Sequence, residues 1–129
     1  MLVFHQGAAA LFHALELGAR APYLMQPTSP WGIPQVWSIT FWGGLWGAVL
    51  AATLARLDGV RLLLGALAFG AVLPTLAAWF LVAPLKGQPM AGGLVPMTMA
   101  LGVVLNGAWG LGTGIGLALF GRSRARPRR

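Results

Sequence analysis

The chain has 129 residues, 57% of them hydrophobic and only 9% charged. A soluble domain of this length carries about 25% charged residues, so these values exclude an ordinary water-soluble fold and point to a bilayer. The net charge of +7 does not signal nucleic acid, because Arg122, Arg124, Arg126, Arg128 and Arg129 cluster directly after an apolar stretch, where anionic headgroups attract each by about 1 kcal/mol.

Four stretches meet or approach the ~20 apolar residues that a spanning helix needs: 2–19, 35–57, 60–83 and 93–120. The first carries His5, Gln6, His13 and Glu16, and Ala19-Arg20-Ala21 resembles the small-residue cleavage site of a signal peptide. No Lys or Arg precedes His5, so a span is expected rather than a leader. At about 100° per residue, His5, His13, Glu16 and Arg20 fall on one helical face within an arc of about 80°. Ionisable groups inside a membrane are functional candidates, here a proton path. The structural alternative pairs Glu16 with Arg20 across one helical turn. No second helix offers a partner carboxylate or histidine.

Between the first and second spans lies the loop 20–34, stiffened by four prolines, with apolar Tyr23, Met25 and Trp31 on a connection expected to meet water. Such a loop suits docking against a membrane-protein partner or the headgroup layer. The second and third spans join at Asp58-Gly59, flanked by Arg56 and Arg61. With the Arg tail, seven basic residues thereby share one side, against only Arg20 and Lys86 on the other. By the positive-inside rule both termini are cytoplasmic. Pro74 lies inside the third span and predicts a kink, since it lacks a backbone donor.

The chain is also duplicated. Ala21-Pro22, Gln26-Pro27 and Pro34 return as Ala83-Pro84, Gln88-Pro89 and Pro96, and Gly44-Leu45-Trp46-Gly47 returns as Gly107-Ala108-Trp109-Gly110. Repeats fix architecture. Residues 1–57 form one unit, 58–121 a second, and 122–129 a basic tail. The expected fold is an all-α membrane protein, a four-transmembrane-helix bundle made of two tandem parallel-repeat hairpins related by an axis along the membrane normal.

Lipid competes equally for large apolar side chains, so helix packing in a membrane relies on small residues. Gly43 and Gly47 on the second span, and Gly102, Gly110 and Gly114 on the fourth, mark the expected packing faces. Trp46 and Trp109 sit about 18 to 20 Å beyond the prolines that open their spans, near mid-bilayer. There an indole N–H needs an acceptor, and Asn106 lies one turn before Trp109. Trp46, Asn106 and Trp109 are therefore a candidate midplane site for a small polar solute, with space-filling between the repeats as the structural alternative.

Cysteine is absent, which removes disulfides, thiolate metal sites and thiol catalysis. His5 and His13 lie ~12 Å apart along one helix and cannot share a metal ion. Haem held by one histidine, with Met97 or Met99 or across a dimer, is the weakest reading. No catalytic triad or phosphate loop is visible. The expectation is a protein that is not an enzyme and has no resident cofactor or metal and no nucleic-acid partner. It would act by self-association or as an accessory subunit.

Phe4-His5-Gln6, Arg20-Ala21-Pro22-Tyr23, the segment 27–34, Phe41-Trp42-Gly43-Gly44, Pro84-Leu85-Lys86-Gly87-Gln88-Pro89 and Asn106-Gly107-Ala108-Trp109-Gly110 together resemble a group of small integral membrane proteins of Gram-negative bacteria. The resemblance implies an inner-membrane location. It supplies neither an activity nor a catalytic residue.

Overall fold

The computed structural model describes residues 1–18, 20–29 and 31–121. The Arg tail, Ala19 of the cleavage-like site and Pro30 lie outside the described residues. Helix α1 covers Phe4–Ala14, α2 Gln35–Thr53, α3 Gly59–Ala77, and α5 Pro96–Phe120. Beyond α3 the chain stays helical through a π-turn at Ala78–Val82 and a short α4 at Ala83–Leu85. Three helical stretches are long and apolar enough to cross a membrane: Gln35–Thr53, Gly59–Leu85 and Pro96–Phe120. At 1.5 Å per residue they measure about 28, 40 and 37 Å against a hydrocarbon core of about 30 Å.

The first expected span is corrected. α1 has 11 residues and a length of about 16 Å, half a bilayer. Its end is built by two backbone hydrogen bonds, Glu16 N–H to the His13 carbonyl at 3.1 Å and Leu17 N–H to the Phe12 carbonyl at 3.0 Å. That pairing is a Schellman motif, which requires a left-handed residue after the cap. Glu16 fills that place with φ 56°, a conformation that favours glycine. The helix is closed by these local backbone bonds, in a stretch where His13 to Gly18 are all exposed.

The other boundaries follow from local chemistry. Val95 is extended at φ −81°, ψ 116° and Pro96 opens α5, as expected where a proline forces its predecessor out of the helical region and occupies the first turn without needing a donor. Pro74 is held within α3, and the ladder widens to π geometry one turn later, at Ala78–Val82. The loop 20–34 carries a small antiparallel ladder in which Pro27 pairs with Pro34 and Thr28 with Ile33. Thr28 Oγ1 donates to the Ile33 carbonyl at 2.8 Å, and the ladder closes below Trp31.

Packing centres on α5. It lies against α3 along much of their length and takes α1 on another face. At the α3–α5 crossing the backbones touch. A Cβ on Gly70 would sit 2.5 Å from the Asn106 carbonyl oxygen and 2.7 Å from Gly110 Cα, and one on Gly110 would collide with the Ala66 carbonyl oxygen. Gly107 faces Leu67 and Ala71, and Gly114 faces Ala66. Small residues let the main chains approach as membrane packing demands. α2 attaches more loosely, through side chains. Leu50, 0% exposed, joins Ala66, Phe69 and Trp109 in one buried cluster, with Met1, Trp46, Leu54 and Leu117 against it.

Met1 lies against Gly43 in the middle of α2. Phe4 packs on Gly112 in the body of α5. Met1 and Phe4 thus meet the middle of the neighbouring helices. α1 leans on α5 rather than pairing with α2, so the expected first hairpin is not seen in the packing.

Candidate functional site

Where α1 crosses the beginnings of α2 and α5, a cleft of about 280 Å³ opens. Its polar lining comes from His5 and Gln6 on α1, Arg20 after the turn, Gln35 at the start of α2 and Thr98 near the start of α5. Ala9, Ile39, Leu101 and Leu105 form its apolar wall. Gln6 is buried, and its Oε1 accepts the Tyr23 N–H at 2.8 Å. The Tyr23 hydroxyl donates to the Leu2 carbonyl at 2.9 Å. Tyr23 thus straps the loop along α1, at the cost of a left-handed backbone, φ 54°. The Gln35 N–H donates to the Gln26 carbonyl at 2.9 Å and the Val36 N–H to the Leu24 carbonyl at 3.0 Å, which fixes the start of α2 against the same loop. His5 Nδ1 is buried without a hydrogen-bond partner.

This arrangement redistributes the polar stripe. His5 and Arg20 meet at the cleft, while His13 and Glu16 are exposed and do not line it. Glu16 and Arg20 form no ion pair among the described residues. The helical spacing that would have joined them ends at Ala14. Sequence reasoning missed Gln35 and Thr98 as site residues and gave Gln6 no role. The available signal was position, since both Gln35 and Thr98 stand within one turn of a proline that opens a helix.

The midplane residues divide. Trp109 is 2% exposed within the core cluster, and Trp46 packs edge-on against Phe69, ring centroids 6.1 Å apart. Asn106 turns to α3, where its Nδ2 donates to Thr75 Oγ1 at 2.9 Å. Thr75 is 2% exposed, so this bond is a buried strut beside the Gly70–Gly110 crossing. Neither Trp46 nor Asn106 lines the polar cleft.

A second cleft, about 390 Å³, lies where α1 begins, lined by Met1, Leu2, Val3, Phe4, Thr40, Trp109, Gly112 and Thr113. Its two hydroxyls are spent on their own helices. Thr40 Oγ1 donates to the Val36 carbonyl at 2.7 Å and Thr113 Oγ1 to the Trp109 carbonyl at 3.0 Å. The cleft is therefore effectively apolar.

Of the expected packing glycines, Gly110 and Gly114 press on α3, Gly102 lies under the Trp79 indole, Gly43 takes Met1, and Gly47 borders Trp109 and Thr113. Of the loop residues, Tyr23 is bonded inward, whereas Met25 is exposed and Trp31, 82% exposed, stands at the tip of the ladder. No group of three or more His, Cys, Asp or Glu gathers among the described residues.

No family model matches this chain, and neither a curated protein nor a solved structure matches it.

Proposed function

We propose that this chain is a non-enzymatic, multi-pass protein of the bacterial inner membrane that works by association, as an accessory subunit of a membrane complex or as a homo-oligomer. The carrying observation is the half-length α1. It covers one half of the groove between α2 and α5 and leaves the apolar cleft at Met1, Phe4, Thr40, Gly112 and Thr113 open beyond it. A helix from a partner or a second copy would complete the bundle there, meeting small residues that favour close approach. In this reading Arg56, Arg61 and the Arg tail face the cytoplasm beside anionic headgroups. Trp31 sits in the opposite interfacial layer.

The absence of cysteine makes the test direct. Single Thr40→Cys and Thr113→Cys variants, oxidised in native membranes, should each form a crosslink that Val72→Cys, exposed on α3, does not. Monomers at every position, with no partner retained in mild detergent, would reject the proposal. The solute-site reading at Trp46, Asn106 and Trp109 draws less support, because Asn106 is already engaged by Thr75. An Asn106→Leu variant that folds but loses uptake would revive it. A haem-type absorption band in the purified protein would do the same for cofactor binding through His5 or His13.

A further inference from the structure

We propose that the polar cleft between α1, α2 and α5 binds the phosphate-bearing headgroup of an anionic membrane lipid, with Arg20 as its charge partner. Three observations carry this.

The first is the sign of the lining. Arg20 is the one formally charged residue among those that form the cleft, and no carboxylate joins it. Arg20 has no ion pair among the described residues, so its guanidinium is available for the forked hydrogen bonding that phosphate oxygens accept. Gln35 and Thr98 add neutral donors, and Gln6, whose Oε1 is taken by Tyr23, has its amide NH₂ to offer.

The second is the division of the lining into two parts. The polar groups stand at the loop ends of α2 and α5, while Ile39, Leu101 and Leu105 continue along the helices toward their middles. A head that accepts hydrogen bonds, followed by a hydrocarbon chain, matches that order. A freely soluble anion would leave the apolar wall unused. At about 280 Å³ the cleft is just below the usual range for a whole small-molecule ligand, about 300–1,000 Å³, and suits a head whose chains remain in the bilayer.

The third is the built support of the cleft. Gln6 is buried and bonded to Tyr23, Tyr23 is tied to Leu2, and the Gln35 backbone is tied to Gln26. His5 Nδ1, buried without a partner in the same wall, is a polar group that the fold itself leaves unsatisfied.

The experiment uses the full chain in a neutral detergent, read by native mass spectrometry and by the shift in thermal unfolding. Phosphatidylglycerol, phosphatidylcholine and inorganic phosphate are added separately. Phosphatidylglycerol should bind with one-to-one stoichiometry and raise the melting temperature, with phosphatidylcholine and phosphate giving no comparable shift. Arg20→Gln should weaken phosphatidylglycerol binding about tenfold or more, and Thr98→Val by a smaller factor. Arg56→Gln, beyond the end of α2, should leave it unchanged. Arg20 is exposed and makes no hydrogen bond among the described residues, so Arg20→Gln keeps native far-ultraviolet dichroism. Equal binding of phosphatidylcholine, equal losses for Arg20→Gln and Arg56→Gln, or Arg20-dependent binding of inorganic phosphate as tight as that of the lipid would each overturn the proposal.

Discussion

Gly47 and Gly110 hold the same place in the duplicated motif, Gly44-Leu45-Trp46-Gly47 and Gly107-Ala108-Trp109-Gly110, but they meet different surroundings. A methyl group on Gly47 would touch Trp109 at 3.8 Å and Thr113 at 3.9 Å, ordinary contact, whereas one on Gly110 would enter the backbone of α3. Gly44 has open space around it, and its counterpart Gly107 faces Leu67 at 3.3 Å. α3 and α5 form a backbone clasp, whereas α2 is held by side chains and the short α1 packs on α5. Here the small-residue motif becomes a backbone interface where the facing helix also presents small residues. α3 supplies Ala66, Gly70 and Ala71 over 19 residues. α1 ends after 11.

The largest test of that contrast is to fill the glycines. Gly110→Ala or Gly70→Ala should cost about 3 kcal/mol, because a main chain cannot move aside as a side-chain tip can. Gly47→Ala should stay within about 0.5 kcal/mol. Thermal unfolding in detergent, with retention of monodisperse protein, reads both; similar losses at Gly47 and Gly110 would mean that the two hairpins pack alike.

Next is the strut between α3 and α5, Asn106 to Thr75. Thr75→Val leaves the Asn106 amide unpaired and should cost about 1–2 kcal/mol. Asn106→Leu added to it should cost less than the two single changes summed. A double-mutant cycle in detergent measures the coupling, and strict additivity would show that the bond contributes nothing.

The strap between loop and α1 is weaker. Tyr23→Phe removes the hydroxyl that holds the Leu2 carbonyl and should cost about 0.5–1.5 kcal/mol, visible also as faster proteolysis in the loop 20–34.

The smallest expected effect sharpens the comparison most. Glu16→Gly should raise stability by up to about 1 kcal/mol, because a left-handed conformation that strains glutamate suits glycine. If the first segment instead ran as a continuous helix through Glu16, the same change would lower stability by about 0.5–1 kcal/mol. The sign of one melting shift decides between a half-length and a full-length first helix.

Much of the long-helix content was legible in residue order. The expected spans 35–57, 60–83 and 93–120 overlap Gln35–Thr53, Gly59–Leu85 and Pro96–Phe120, because apolar length and prolines at helix openings are local signals. The face of α5 carrying Gly110 and Gly114 was legible too, since fourfold spacing survives any partner. The site was less so. His5 and Arg20 were singled out, but for a helical stripe that does not form beyond Ala14. Their meeting with Gln35 and Thr98 depends on a turn at Glu16 that no residue preference announces.

Composition by itself determined that this polypeptide is a helical protein of membrane type, because so many apolar residues with so little charge leave few other solutions. Tertiary structure alone decided which copy of the pattern would be clasped and which polar side chains share a cleft. Those outcomes turn on contacts between residues far apart in the chain. Tyr23 against Gln6, Asn106 against Thr75 and Gly70 against Gly110 are contacts whose energies depend on geometry that no stretch of sequence carries alone.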